Sequence, residues 1–176
     1  VAPSVWAWKG YRAKKISKFL DHLLVLYPFE KDFFTVHGLD TTFIGHPIAF
    51  DKNYKSNNYY IEESLKDKSL IKIGLLPGSR VGEIDKLMPT FIKSASLISK
   101  RYKKVKFYVV SVKGFKNKLT KYFSNSSLNY YITDDQNEKY NIYSKIDFAI
   151  CASGSVTMEL ARAGTPMLVL YKLNYI

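Results

Sequence analysis

Ile71-Lys-Ile-Gly-Leu-Leu-Pro-Gly-Ser-Arg80 decides the fold: an apolar run ends in a Pro-Gly turn, and a long amphipathic stretch from Gly82 to Ser99 follows. A continuous apolar run of this length fits a strand buried on both faces. The same alternation continues downstream. Strands are expected at Val105 to Val110, Leu128 to Ile132, Ile146 to Cys151 and Pro166 to Leu170, with helices at Phe115 to Phe123, Glu138 to Ser144 and Ser155 to Ala163. Apolar strands separated by amphipathic helices imply a parallel sheet covered on both faces. Residues 70–176 are therefore expected to form an α/β, Rossmann-like layer whose ligands sit beyond the carboxyl ends of the strands.

Upstream of this block the pattern weakens. Residues 51–69 are polar, rich in Asn and Lys and weakly periodic, and read as a linker with a short helix near Ile61 to Lys66. Residues 1–50 read as the end of a separate domain. Lys9 to Leu20 suggests a short helix with a cationic outer face, and His22 to Tyr27 a buried strand. Pro28 can start a helix over Phe29 to His37 that Gly38 ends, and Thr41 to Ile44 is a second short strand leading into Gly45-His-Pro47.

Composition narrows the classes of function. With 176 residues, 47% of them hydrophobic and 15% aromatic, the chain can bury a sizeable core. The net charge of +12 comes almost wholly from lysines spread along the chain. No nucleic-acid recognition motif accompanies it, so phosphate-bearing ligands or an anionic membrane face are the expected counterparts. Cys151 is the only cysteine, which excludes an intrachain disulfide and fits a reducing compartment. Its place at the end of an apolar strand marks it as core packing. No apolar run approaches the ~20 residues of a membrane span and no signal peptide is evident, so a cytosolic chain is expected. The opening Val1-Ala-Pro-Ser-Val-Trp-Ala-Trp8 and the closing Tyr171-Lys-Leu-Asn-Tyr-Ile176 both read as cut ends.

Two strand-to-helix turns carry the candidate chemistry. In Leu75-Leu-Pro-Gly-Ser-Arg80, Gly78 lets backbone approach a ligand, Ser79 offers a hydroxyl, and Arg80 a fork that suits phosphate oxygens. A plain tight turn is the alternative. In Cys151-Ala-Ser-Gly-Ser-Val-Thr-Met-Glu159, small residues precede a helix whose first N–H groups and positive dipole end can hold a diphosphate. Glu159 lies one turn after Ser155 on the same face, where a carboxylate can accept hydrogen bonds from two ribose hydroxyls. The alternative there is an N-cap by Ser153 or Ser155 with Glu159 simply solvated. Neither loop has the G-x-G-x-x-G spacing, which disfavours a dinucleotide enzyme.

Taken in order, Val1-Ala-Pro-Ser-Val-Trp-Ala-Trp8, Arg12-Ala-Lys-Lys-Ile16, Leu26-Tyr-Pro-Phe-Glu30, Phe43-Ile-Gly-His-Pro47, Leu76-Pro-Gly-Ser-Arg80, Ala152-Ser-Gly-Ser-Val-Thr-Met-Glu159, Gly164-Thr-Pro166 and Tyr171-Lys172 resemble the lipid-A-disaccharide synthase family over essentially the whole chain. The resemblance implies the donor-binding, carboxy-terminal part of a two-domain B-type glycosyltransferase, preceded by a remnant of the acceptor-side domain. It implies an inverting, metal-free and cofactor-free transfer. A diacylglucosamine unit moves from UDP to diacylglucosamine 1-phosphate at the cytosolic face of the inner membrane. Gly78, Ser79 and Arg80 are then expected at the donor diphosphate, Ser153, Gly154 and Ser155 at the helix end that cradles it, and Glu159 on the ribose. His46 is either a substrate contact or a structural histidine in a tight turn. Trp6 and Trp8 either face lipid or a partner, or pack at a cleft floor.

The departures from the family pattern are also informative. Phe50 stands where an acidic residue is usual, with Asp51 one place on, and Ser155 replaces a threonine while keeping the hydroxyl. The family's acceptor loop and proposed catalytic base would lie before Val1, so no general base is expected in this chain. A non-catalytic UDP-binding remnant is therefore a competing reading, as is a related transferase or epimerase acting on UDP-N-acetylglucosamine.

Overall fold

The computed structural model describes residues 2–7, 9–51 and 63–172. Trp8, most of the expected linker and residues 173–176 lie outside them. The chain divides into two compact units, Val1–Asp51 and Lys52–Ile176.

In the first unit β1 (His22–Val25) and β2 (Asp40–Phe43) pair in parallel, with α2 (Glu30–Thr35) crossing between them. Within the same unit, helix α1 (Tyr11–Ile16) precedes β1, and a single turn, α3 (Pro47–Phe50), follows β2. Val5, Ala13, Leu23, Val25, Phe34 and Leu39 form its small core. One carboxylate organises the turn out of β1. Glu30 is only 3% exposed. It accepts hydrogen bonds from the backbone N–H groups of Leu26 at 2.9 Å and Tyr27 at 3.0 Å and from Trp6 Nε1 at 3.2 Å. Three donors satisfy a charge that would otherwise be costly to bury. They also end the strand at Val25, two residues before the sequence suggests, because Leu26 and Tyr27 give their amides to Glu30 and not to the sheet. Trp6 packs edge-on against Phe29, with ring centres 5.4 Å apart.

The first described element of the second unit is a 3-10 turn, Glu63–Lys66, within the expected linker, and Leu65 from it is buried in the core. Its sheet is wholly parallel and consists of β3 (Ile71–Leu76), β4 (Val105–Val110), β5 (Tyr130–Thr133), β6 (Phe148–Ala152) and β7 (Met167–Leu170) in the order β5-β4-β3-β6-β7. The helices α4 (Val81–Arg101), α5 (Lys116–Phe123), α6 (Lys139–Tyr143) and α7 (Ser155–Ala163) connect successive strands.

Alternation along the strands splits the core. Leu75, Phe107 and Val109 pack with Leu87, Phe91, Leu119 and Phe123 from α4 and α5. Their neighbours Leu76, Tyr108 and Cys151 pack with Tyr140, Tyr143 and Leu160 from α6 and α7. Helices therefore cover both faces, the Rossmann-like α/β arrangement that continuous apolar strands require.

Two strand boundaries shift for local reasons. Ile146 lies in the turn that follows α6, its N–H bonded to Ile142 O at 3.0 Å, so β6 starts later than expected. Asp147 then fixes the entry to the strand. Its carboxylate accepts the Lys72 N–H at 2.8 Å and its own N–H donates to Lys72 O at 2.9 Å. Leu128 is buried in the core but stands outside the ladder, which β5 joins only at Tyr130.

Candidate functional site

From β3 the chain runs through α4 to β4 on one side, whereas β6 lies on the other side of β3. The crossovers diverge between β3 and β6, and the carboxyl ends of those strands form the crevice where open α/β sheets take ligands. Both glycine turns sit there.

The turn after β3 is closed on itself. Gly78 adopts φ +105°, a left-handed conformation that side chains resist. A Cβ at Gly78 would also run into the Glu83 carboxylate, whose carbon would be 2.6 Å away. Glu83 reaches back from the first turn of α4 and its Oε2 accepts the Ser79 N–H at 3.2 Å. Arg80 sits in extended conformation just before α4, and its carbonyl accepts the N–H groups of Glu83 and Ile84, both at 3.0 Å. The Arg80 side chain is exposed. Among the described residues no acidic group pairs with it.

The turn after β6 is open. Gly154 precedes α7 in extended backbone, and no side chain caps the helix, so neither Ser153 nor Ser155 acts as an N-cap. Thr157 directs both its N–H, at 3.1 Å, and its hydroxyl, at 2.8 Å, to Gly154 O. An uncapped helix start with a glycine before it is suited to an anionic ligand.

One cleft of about 230 Å³ contains all seven residues singled out in these turns: Gly78, Ser79, Arg80, Ser153, Gly154, Ser155 and Glu159. The arginine and the carboxylate thus share a wall-to-wall space. Glu159 is not merely solvated. Its Oε1 is 2.9 Å from Lys139 Nζ, and both side chains are only 15% exposed.

Sequence reasoning missed Lys139, Ser111 and Gln136, which also line the cleft. Ser111, directly after β4, is 6% exposed and its hydroxyl has no hydrogen-bond partner among the described residues. Gln136 Nε2 donates to Ser111 O at 3.1 Å and to Asp134 O at 3.3 Å, tying the end of β4 to the loop after β5. A small polar residue directly after an apolar strand was the available signal for Ser111. Nothing local marked Lys139.

The remaining candidates do other things. His46 belongs to the first unit, where its Nδ1 accepts the Ile48 N–H at 3.3 Å and so caps α3. Its ring lies 5.9 Å from that of Tyr27. These contacts match the structural alternative for this histidine. Cys151 is fully buried, and burial pushes its thiol up to about 11, which disfavours the reactive thiolate.

The fold and site together define a class: a Rossmann-like α/β layer with an anion-ready crevice at its topological switch point. Solved structures share this fold. A protein described as a UDP-N-acetylglucosamine 2-epimerase from Listeria monocytogenes superposes with a TM-score of 0.62 at 17% identity, covering 82% of this chain and 40% of that one. TarM from S. aureus, determined in complex with UDP, gives 0.53 at 15% identity, covering 92% and 32%.

The sequence comparison is narrower. The family profile described as lipid-A-disaccharide synthetase matches residues 1–176, and the chain belongs to that family. Among its relatives, the lipid-A-disaccharide synthase of Rickettsia typhi is 37% identical over 177 residues, and that of Idiomarina loihiensis 32% over 182. The match takes in 100% of this chain but 46% and 47% of those proteins, so the chain spans about half the length of the curated relatives it matches.

Proposed function

We propose that this chain is the donor-binding portion of a lipid-A-disaccharide synthase. In this reading the whole protein transfers a 2,3-diacylglucosamine unit from UDP to 2,3-diacylglucosamine 1-phosphate, forming the β-1,6-linked lipid A disaccharide and releasing UDP. The observation that carries it is the meeting, in one cleft, of Arg80, an uncapped helix start and a carboxylate one turn further along that helix. The donor diphosphate lies between Gly78, Ser79 and Arg80 on one side and Ser153, Gly154 and Ser155 on the other. Glu159 accepts the ribose hydroxyls.

The chemistry asks little else of this portion. The acceptor hydroxyl attacks the anomeric carbon, the bond to the diphosphate oxygen breaks, and the electron pair leaves with UDP. Negative charge grows on the diphosphate as this happens, so the Arg80 cation stabilises the transition state more than the ground state. The proton of the acceptor hydroxyl goes to a general base that the facing domain supplies. The first unit, in this reading, is the end of that acceptor-side domain. No metal or cofactor enters the scheme. The working site is the cytosolic face of the inner membrane, where the net charge of +12 favours anionic lipid and phosphate-bearing substrates over any nucleic acid.

Calorimetry with UDP tests the assignment. The chain is expected to bind UDP with a Kd between roughly 10 µM and 1 mM, since this portion supplies one wall of the cleft. Arg80→Ala and Glu159→Ala are expected to weaken it. Equal heats for all three proteins would remove the site.

A further inference from the structure

We infer that Lys139 is a positioning residue for the nucleotide: it holds the Glu159 carboxylate in place for the ribose hydroxyls. The inference rests on the donor-binding reading above and adds a residue to it.

Lys139 opens α6, and Glu159 sits in the middle of α7, the neighbouring helix on the same face of the sheet. Their ion pair, at 2.9 Å, lies in the wall of the cleft with both side chains 15% exposed. A second contact restrains the ammonium, whose nitrogen is 4.6 Å from the centre of the Tyr140 ring. Held between a carboxylate and an aromatic face, the lysine cannot reach a phosphate without giving up both.

A carboxylate offers about four acceptor positions, more than the one that Lys139 Nζ takes on Oε1. Losing the lysine removes one restraint on the three-torsion Glu159 side chain, and the freedom regained must be given up each time a nucleotide binds. Ordering a group in advance raises affinity because that entropy is no longer lost on binding. Lys139 therefore acts through Glu159, and its effect should follow the ribose, not the phosphates.

The test is calorimetry on the 176-residue chain with UDP, 2′-deoxy-UDP and inorganic pyrophosphate. Lys139→Met is expected to weaken UDP binding roughly tenfold and to leave pyrophosphate binding within about twofold. Its effect on 2′-deoxy-UDP should be about threefold or less, because part of the contact it supports is already missing. Lys139→Arg should restore UDP binding to within about threefold of the wild type, since a guanidinium keeps both the charge and the aromatic contact. Lys139→Met leaves Glu159 without its lysine, so the double variant Lys139→Met/Glu159→Gln covers a failure to fold. It should bind UDP no more weakly than Glu159→Gln alone. Equal loss for UDP and pyrophosphate would make Lys139 a phosphate ligand and overturn the proposal, as would unchanged UDP binding in Lys139→Met. Failure of the wild-type chain to bind UDP would instead sink the donor-binding reading on which it rests.

Discussion

The two glycine turns at the carboxyl edge of the sheet share composition and position but solve opposite problems. At Pro77–Arg80 the backbone is left-handed at Gly78 and the Glu83 carboxylate folds over it to take the Ser79 N–H, so this turn already holds an anion of its own. At Ser153–Ser155 the backbone is extended, a Cβ on Gly154 would meet nothing within 4 Å, and no side chain caps α7. In the first turn glycine serves the fold, and in the second it leaves open space beside the helix start. In the donor-binding reading, an incoming diphosphate would meet open amides at α7 and an exposed arginine, but a carboxylate over the loop between β3 and α4.

Alanine at each glycine separates the two roles most sharply. Gly78→Ala forces a side chain into a left-handed backbone and displaces Glu83 from Ser79, which together should cost about 3 kcal/mol. Thermal unfolding should then fall by roughly 5–10 °C. Gly154→Ala meets neither obstacle, so its melting temperature should stay within about 2 °C of the wild type. In the donor-binding reading its methyl group instead stands in the path of the diphosphate, and UDP binding should weaken several-fold. Equal melting temperatures for the two variants would erase the distinction.

Directly beneath the turns both strands are dry, as the paired residues Leu76 and Cys151 show. The Cys151 thiol has its pKa raised from an ordinary value near 9.0 to about 11 by burial. A folded-state pKa above the unfolded one stabilises the fold fully below pH 9 and loses that contribution as pH climbs toward 11. At 1.36 kcal/mol per unit over two units, the contribution is about 3 kcal/mol. Urea unfolding at pH 8 and pH 10.5 should show a smaller loss of stability for Cys151→Ala than for the wild type. Lysines and tyrosines titrate in both proteins, so only the difference between the two bears on the thiol.

Arg80 and Glu159 contrast in the same way. Truncating either should reduce UDP affinity about tenfold, equivalent to 1.4 kcal/mol. Their effects on stability should differ. Arg80 is exposed, and Arg80→Ala should leave the melting temperature where it was. Glu159→Ala removes the carboxylate paired with Lys139, and a half-buried ammonium without its partner lowers stability. Equal melting temperatures would show that the Lys139–Glu159 pair contributes nothing to the fold.

What the sequence revealed and what it hid follow from how local each signal is. Strands β3 and β4 and helix α7 match their expected limits residue for residue, at Ile71–Leu76, Val105–Val110 and Ser155–Ala163. The two strands are buried on both faces and read as unbroken apolar runs, while Gly154 and Gly164 bracket the helix. The end of β1 moved because the Glu30 carboxylate claims two backbone amides, and the start of β6 because Ile146 gives its N–H to Ile142 O; such bonds leave no periodic trace. The glycine turns were legible since glycine carries its meaning in place. Lys139 was not, because its importance depends on α6 packing beside α7 and on a partner twenty residues away. Ser111 differs: its place directly after an apolar strand was a local signal, but its burial depends on the loop after β5, where Gln136 bonds its carbonyl.

The smallest expected effect tests whether Glu83 guards the first turn or merely shapes it. Glu83 lines the cleft, so in the donor-binding reading its carboxylate and the diphosphate would repel each other at short range. Glu83→Gln removes the charge but keeps a side-chain oxygen that can still accept the Ser79 N–H. The fold of the turn should survive, and UDP should bind two- to threefold more tightly, with the gain shrinking as salt is added. An unchanged affinity at low salt would mean that the carboxylate moves aside on binding without electrostatic consequence. Weaker binding would mean that the Ser79 amide, once released, is itself what the phosphate needs Glu83 to organise.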